Sequence, residues 1–122
     1  MRLTDFKALT FDCYGTLIDW ETGMMQALGA LAGKSRRELT RDMILEAHAR
    51  HESAQQRQTP ATRYSDLLAV VYKRLAEEWG AAVTIDECEN YGHSVRHWPV
   101  FADSPDALRY LKKFYKLIIL SN

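Results

Sequence analysis

The most informative stretch of the chain is Phe11-Asp12-Cys13-Tyr14-Gly15-Thr16-Leu17-Ile18-Asp19. It follows Ala8-Leu9-Thr10, so a short apolar run closes on an acid. A buried strand reads this way, and Gly15 has the conformational freedom that a sharp turn out of such a strand needs. The segment is therefore read as a strand over Ala8 to Phe11, then a loop that carries Asp12.

Beyond the loop the pattern becomes helical and stays so from Trp20 to about Trp98. Trp20, Met24, Leu28 and Leu31 recur at helical spacing, and Gly33 is a natural stop. Ser35 with Glu38 has the form of a capping box, which predicts a helix from there to about Gln58. Few large apolar residues lie in that stretch, so the helix is expected to be only partly buried. Pro60 interrupts it. Tyr64, Leu67, Leu68, Val71, Leu75 and Trp79 then form an apolar stripe that ends at Gly80. Such a stripe reads as packing core rather than as the lining of a channel. Thr84 with Glu87 gives a second capping box before a helix that runs towards His97 and is closed by Pro99.

The period changes again after this insertion. Asp103 or Ser104 followed by Pro105 starts a helix with Leu108 and Leu111 on one face. Leu117-Ile118-Ile119-Leu120 is a second buried strand, and it ends in Ser121-Asn122. The expected fold is α/β: a Rossmann-like core assembled from residues 1–16 and 99–122, with residues 17–98 as a helical cap between them. Two strands alone leave apolar faces and edges uncovered, so this core is expected to be incomplete.

Composition narrows the partners. The 122 residues carry 16 basic and 16 acidic side chains, scattered rather than gathered into a stripe. No footprint for nucleic acid results, and a small molecule is the expected partner. The strongly apolar runs are far too short to span a bilayer, and the opening MRLTDFK has an acid where a signal peptide would be apolar. A cytoplasmic protein without a membrane partner is expected. Cys13 and Cys88 lack CxxC or Cys/His ligand spacing, so reduced thiols are expected rather than a disulfide framework or a zinc site. His48 and His51 lie about one helical turn apart, but no HExxH-type carboxylate accompanies them. They are read as part of a solvated helix face.

In an open α/β sheet, ligands collect outside the carboxyl ends of parallel strands. Asp12, Ser121 and Asn122 all fall at such ends. A carboxylate there can act as a nucleophile, and hydroxyl and amide groups beside it can bind an anionic substrate end or a leaving group. Thr16 can hydrogen-bond the carboxylate and orient it.

These residues also carry a family resemblance. FDCYGTLID at Phe11 to Asp19 resembles the first motif of the haloacid dehalogenase superfamily, and LSN at Leu120 to Asn122 is similar to its second. The order of the motifs, the helical insertion and the DSPDALRYLKKFYKLIILSN stretch resemble the L-2-haloacid dehalogenase branch. Phosphatases of the superfamily place an aspartate two residues after the nucleophile, where it serves as general acid and base. Tyr14 stands there instead, and with a reference pKa near ~10 it is a poor substitute at neutral pH, whereas a departing halide needs no proton.

The resemblance implies that Asp12 attacks the halogen-bearing carbon of a 2-haloalkanoate to give an aspartyl ester, which water then hydrolyses to a 2-hydroxy acid. It implies that Ser121 binds the substrate carboxylate, Asn122 lines the halide side, Thr16 fixes Asp12 and Tyr14 shapes the pocket. No metal is expected in that branch, and magnesium is expected if the protein is a phosphatase. A third-motif lysine and a fourth-motif acid are expected beyond Asn122. A halide-contacting cap arginine has Arg41, Arg50, Arg57 and Arg63 as candidates. Homodimerisation is a family-level expectation. Two alternatives stay open: another hydrolase of the same superfamily, with phosphatases included, and a truncated chain that is inactive by itself.

Overall fold

The structure is a computed structural model that describes residues 1–121; Asn122 lies outside the described residues. The chain forms two compact units. One is built from Met1–Thr22 and the chain from Trp98 onward, the other from Gly23–His97.

In the first unit, β1 (Ala8–Phe11) and β2 (Lys116–Ile119) pair in parallel, with Ala8 opposite Lys116 and Phe11 opposite Ile119. The Leu120 amide donates to the Phe11 carbonyl at 2.8 Å and carries the ladder one step further. A parallel pair needs a long crossover, and here the entire helical insertion lies within it. The last helix before β2 starts beside Asp103, with Pro105 in its first turn where the missing amide hydrogen is harmless. Leu108 and Leu111 on that helix are half-buried, as are Leu9, Phe11, Tyr115 and Leu117. Ile118, Ile119 and Leu120 are exposed, so the second strand is not the buried one its apolar run predicts, because a sheet of two strands has no neighbour to cover this face.

The second unit holds four helices: α1 (Trp20–Gly33), whose first residues belong to the other unit, α2 (Arg41–Gln58), α3 (Tyr64–Trp79) and α4 (Ile85–His93). The apolar stripe of α3 is the centre of its core. Leu68, Val71 and Leu75 are fully buried, together with Met24, Leu28 and Leu31 of α1. Gly80 stops α3 in the left-handed conformation, φ 68°, where a glycine has no side-chain penalty. Thr84 and Glu87 make the reciprocal capping box that their spacing predicts. Gly92 marks a close approach of α4 to α3, since a Cβ there would lie 2.2 Å from the Ser65 carbonyl oxygen.

Two expectations are corrected. The second helix begins at Arg41, capped by Thr40, whose hydroxyl accepts from the Met43 amide at 3.3 Å. Ser35 instead accepts from the Arg37 amide at 3.2 Å, inside a loop held to the end of α3 by the Arg36 amide on the Trp79 carbonyl. His48 is not on a solvated face. It is 1% exposed, and its Nε2 lies 2.7 Å from the Tyr91 hydroxyl. His51 does lie nearer the surface, where its Nε2 meets Glu78 at 2.6 Å.

Candidate active site

Asp12 follows directly on β1, and Ser121 lies just past β2. Because the strands are parallel and in register to Phe11 and Ile119, these residues emerge side by side at the carboxyl edge. Both are exposed. Asn122, the remaining sequence-predicted site residue, lies outside the described residues.

The loop after Asp12 is a single tight turn. The Cys13 carbonyl accepts from the amides of Thr16, Leu17 and Ile18 at 3.2, 2.8 and 3.0 Å, and the Gly15 amide donates to the Ile18 carbonyl at 2.8 Å. Gly15 has φ 86°, a conformation that side chains rarely adopt, and the indole of Trp20 lies 3.3 Å from where its Cβ would be. The turn brings the Thr16 hydroxyl back to donate to Asp12 Oδ2 at 3.0 Å. One carboxylate oxygen is thereby engaged and the other is left to point elsewhere. Burial raises the Cys13 thiol pKa, and the neighbouring Asp12 charge pushes it the same way, so the thiol beside the acid stays protonated.

The turn is stapled to the chain returning from the helical unit. Ile18 pairs with Val100 in an antiparallel bridge. The Asp19 amide donates to the Pro99 carbonyl at 2.8 Å, and the Phe101 amide to the Leu17 carbonyl at 3.1 Å. The buried Ser104 hydroxyl donates to the same Leu17 carbonyl at 3.1 Å. At the head of this staple, Trp98 is 6% exposed and meets the Tyr14 ring edge-on, with centroids 5.9 Å apart at 73°. The sequence pattern marks Trp98 only as the end of a helical stretch. Its partner lies on the far side of the whole insertion, beyond the reach of local patterning.

The geometry thus joins Asp12 with Thr16, places Tyr14 next to them in sequence, and sets Ser121 on the adjacent strand end. A cavity of about 620 Å³ in the same unit is lined by Thr4, Phe6, Tyr110, Leu111, Lys113, Phe114 and Tyr115. It contains none of the candidate residues, and we assign the chemistry to the strand ends because only they carry the carboxylate and its partner. Among the described residues, no three His, Cys, Asp or Glu side chains gather to hold a metal ion. No helix among the described residues is long and apolar enough to cross a membrane.

Comparison with known proteins gives a consistent picture. The family described as haloacid dehalogenase-like hydrolase matches residues 6–122. No curated protein matches the chain significantly. Among solved structures, the L-2-haloacid dehalogenase PA0810 is similar at a TM-score of 0.76 and 23% identity, with 95% of this chain and 52% of that one covered. The defluorinating L-2-haloacid dehalogenase Rha0230 is similar at 0.69 and 21%, covering 95% of this chain and 51% of that one. The HAD-hydrolase YfnB from Bacillus subtilis, solved bound to magnesium, is similar at 0.65 and 18%, covering 96% and 53%. At these identities the likeness establishes the fold, an α/β core with an inserted helical cap. The chain spans about half the length of the structures it matches.

Proposed function

Because the chain belongs to the haloacid dehalogenase-like hydrolases, we propose that it provides the nucleophile of a hydrolase that displaces halide from 2-haloalkanoic acids. A carboxylate oxygen of Asp12 attacks the carbon bearing the halogen, and the carbon–halogen bonding pair leaves with the halide. An aspartyl ester results. Water then attacks the ester carbonyl carbon and the acyl carbon–oxygen bond breaks; one proton of the water goes to the departing alkoxide and the other to solvent, which restores the Asp12 carboxylate and releases a 2-hydroxy acid with inverted configuration. Thr16 holds Asp12 through the 3.0 Å hydrogen bond, Tyr14 shapes the pocket and Ser121 binds the substrate carboxylate.

The observation that carries this reading is an exposed Asp12 oriented by Thr16, with Tyr14 rather than an acid two residues on. A phosphate ester needs a proton for its departing alkoxide, and Tyr14 is ill suited to supply it near neutral pH. Arg50 lies against Glu78 at 2.9 and 3.1 Å, and the halide contact is assigned to one of the four arginines Arg41, Arg50, Arg57 and Arg63. The test is halide release from L-2-chloropropionate, set beside a panel of phosphate esters with and without magnesium. Turnover of the esters alone would make the protein a phosphatase.

A second reading is favoured by the covered share of the solved structures, 51–53%. On that reading the 122-residue chain alone turns over nothing, because the lysine and acid of the later motifs must be supplied from elsewhere. Sustained turnover by the purified chain would eliminate it.

A further inference from the structure

The helical insertion returns to the first unit at Trp98, and the residue that meets this indole is Tyr14, two positions after the proposed nucleophile. We infer that Trp98 is a positioning residue that sets where the Tyr14 ring stands, and so how long a substrate side chain fits beside Asp12. The inference rests on the dehalogenase reading for its substrates, but not for its geometry.

Three observations support it. The edge-on contact at 5.9 Å and 73° is a favourable aromatic arrangement, so the indole restrains the phenol ring rather than merely approaching it. Trp98 is itself fixed, nearly fully buried and followed at once by the Pro99, Val100 and Phe101 backbone contacts to Asp19, Ile18 and Leu17. The Tyr14 backbone has little room to adjust, since the Cys13 turn and the Tyr14–Ile18 bridge flank it. With the backbone held, the indole edge is one of the contacts that set where the ring stands.

Truncation of Trp98 opens space into which the Tyr14 ring can withdraw. An apolar pocket discriminates one methylene by roughly tenfold to a few hundredfold, so a withdrawn ring should relax that discrimination. For Trp98→Ala, kcat/KM for 2-chlorobutyrate relative to 2-chloropropionate should rise about tenfold. The change should lie in KM, with kcat for 2-chloropropionate kept within about twofold, because Asp12 and Thr16 are untouched. Trp98→Phe should restore the wild-type ratio, and Trp98→Ala should add nothing in a Tyr14→Ala background.

The geometric half has its own readout. In protein labelled with fluorotyrosine, the Tyr14 resonance, identified by its loss in Tyr14→Phe, should move in Trp98→Ala and return towards its original position in Trp98→Phe. An unmoved Tyr14 resonance, a fall in kcat with no change in substrate ratio, or a Phe variant equivalent to the Ala variant would each overturn the inference. Should Trp98→Ala fail to fold, Trp98→Leu takes its place with the same expected outcomes. If the wild type releases no halide from any 2-haloacid, the dehalogenase reading fails, and the resonance alone decides whether Trp98 positions Tyr14.

Discussion

The Thr16 hydroxyl donates to Asp12 Oδ2 at 3.0 Å across the turn that leaves β1. A threonine four residues after an acid reaches it here because the chain folds back immediately, with three amides gathered on the Cys13 carbonyl. The bond orients the carboxylate without burying it, which suits a group that must meet a substrate.

Asp12→Asn should therefore abolish turnover, lowering kcat by at least about a thousandfold, since an amide cannot form the ester. Thr16→Val should lower kcat by roughly 10- to 100-fold, the scale of a lost hydrogen bond to a charged group. Thr16→Ser should stay near wild type. Steady-state halide release checks all three, and a Thr16→Val variant with wild-type kcat would remove Thr16 from the site.

Gly92 should not tolerate a side chain. A Cβ would stand 2.2 Å from the Ser65 carbonyl oxygen and 3.1 Å from its carbon, both backbone atoms that move only if α3 and α4 separate. Gly92→Ala should destabilise the helical unit by roughly 1–3 kcal/mol. A urea titration reads this as a lower midpoint at unchanged slope, and an unchanged midpoint would contradict the close packing.

The interior of the same unit should respond to acid. Burial, helped by the nearby His51, lowers the His48 pKa from 6.5 to about 4. Around it stand Tyr91 on Nε2, Glu52 at 3.5 Å from Nδ1, and Tyr64, which hydrogen-bonds Glu52. Below pH 6.5 the unfolded imidazole takes up a proton that the folded one refuses, so stability falls from about 6.5 down to about 4. The loss from His48 alone is about 3 kcal/mol. Burial raises the Glu52 pKa, which works in the opposite sense, favouring the folded state at low pH and losing that contribution as pH rises. Unfolding measured across this range should steepen towards acid in the wild type and flatten in His48→Phe; equal slopes would show that His48 is not the titrating group.

What could be read from the sequence was what neighbouring residues decide among themselves. β1, the α3 stripe, the Gly80 stop, the Thr84–Glu87 box and the Pro105 helix start each depend on a few consecutive positions, and each is found. The start of α2 was misplaced because Ser35 and Thr40 both offer a cap, and a distant contact, Arg36 on Trp79, decides between them. His48 looked solvated because its α2 neighbours are polar, while the tyrosine that accommodates it comes from α4. At the site the motifs point to Asp12, Tyr14, Thr16, Ser121 and Asn122, and of these the structure joins Thr16 to Asp12 and sets Ser121 at the neighbouring strand end. Trp98 was missed because it acts on Tyr14 from across the insertion.

If Asp12 is the nucleophile, its own oxygen attacks the substrate carbon and water enters only at the ester. A single turnover in heavy-oxygen water, with enzyme in excess over L-2-chloropropionate, tests it directly by mass analysis of the peptide containing Asp12 and of the product. An aspartyl ester opened at its carbonyl carbon places the heavy oxygen in Asp12 and releases unlabelled 2-hydroxypropionate. Label in the product and none in Asp12 would mean that water attacks the substrate carbon itself, and the account of Asp12 as nucleophile would be wrong.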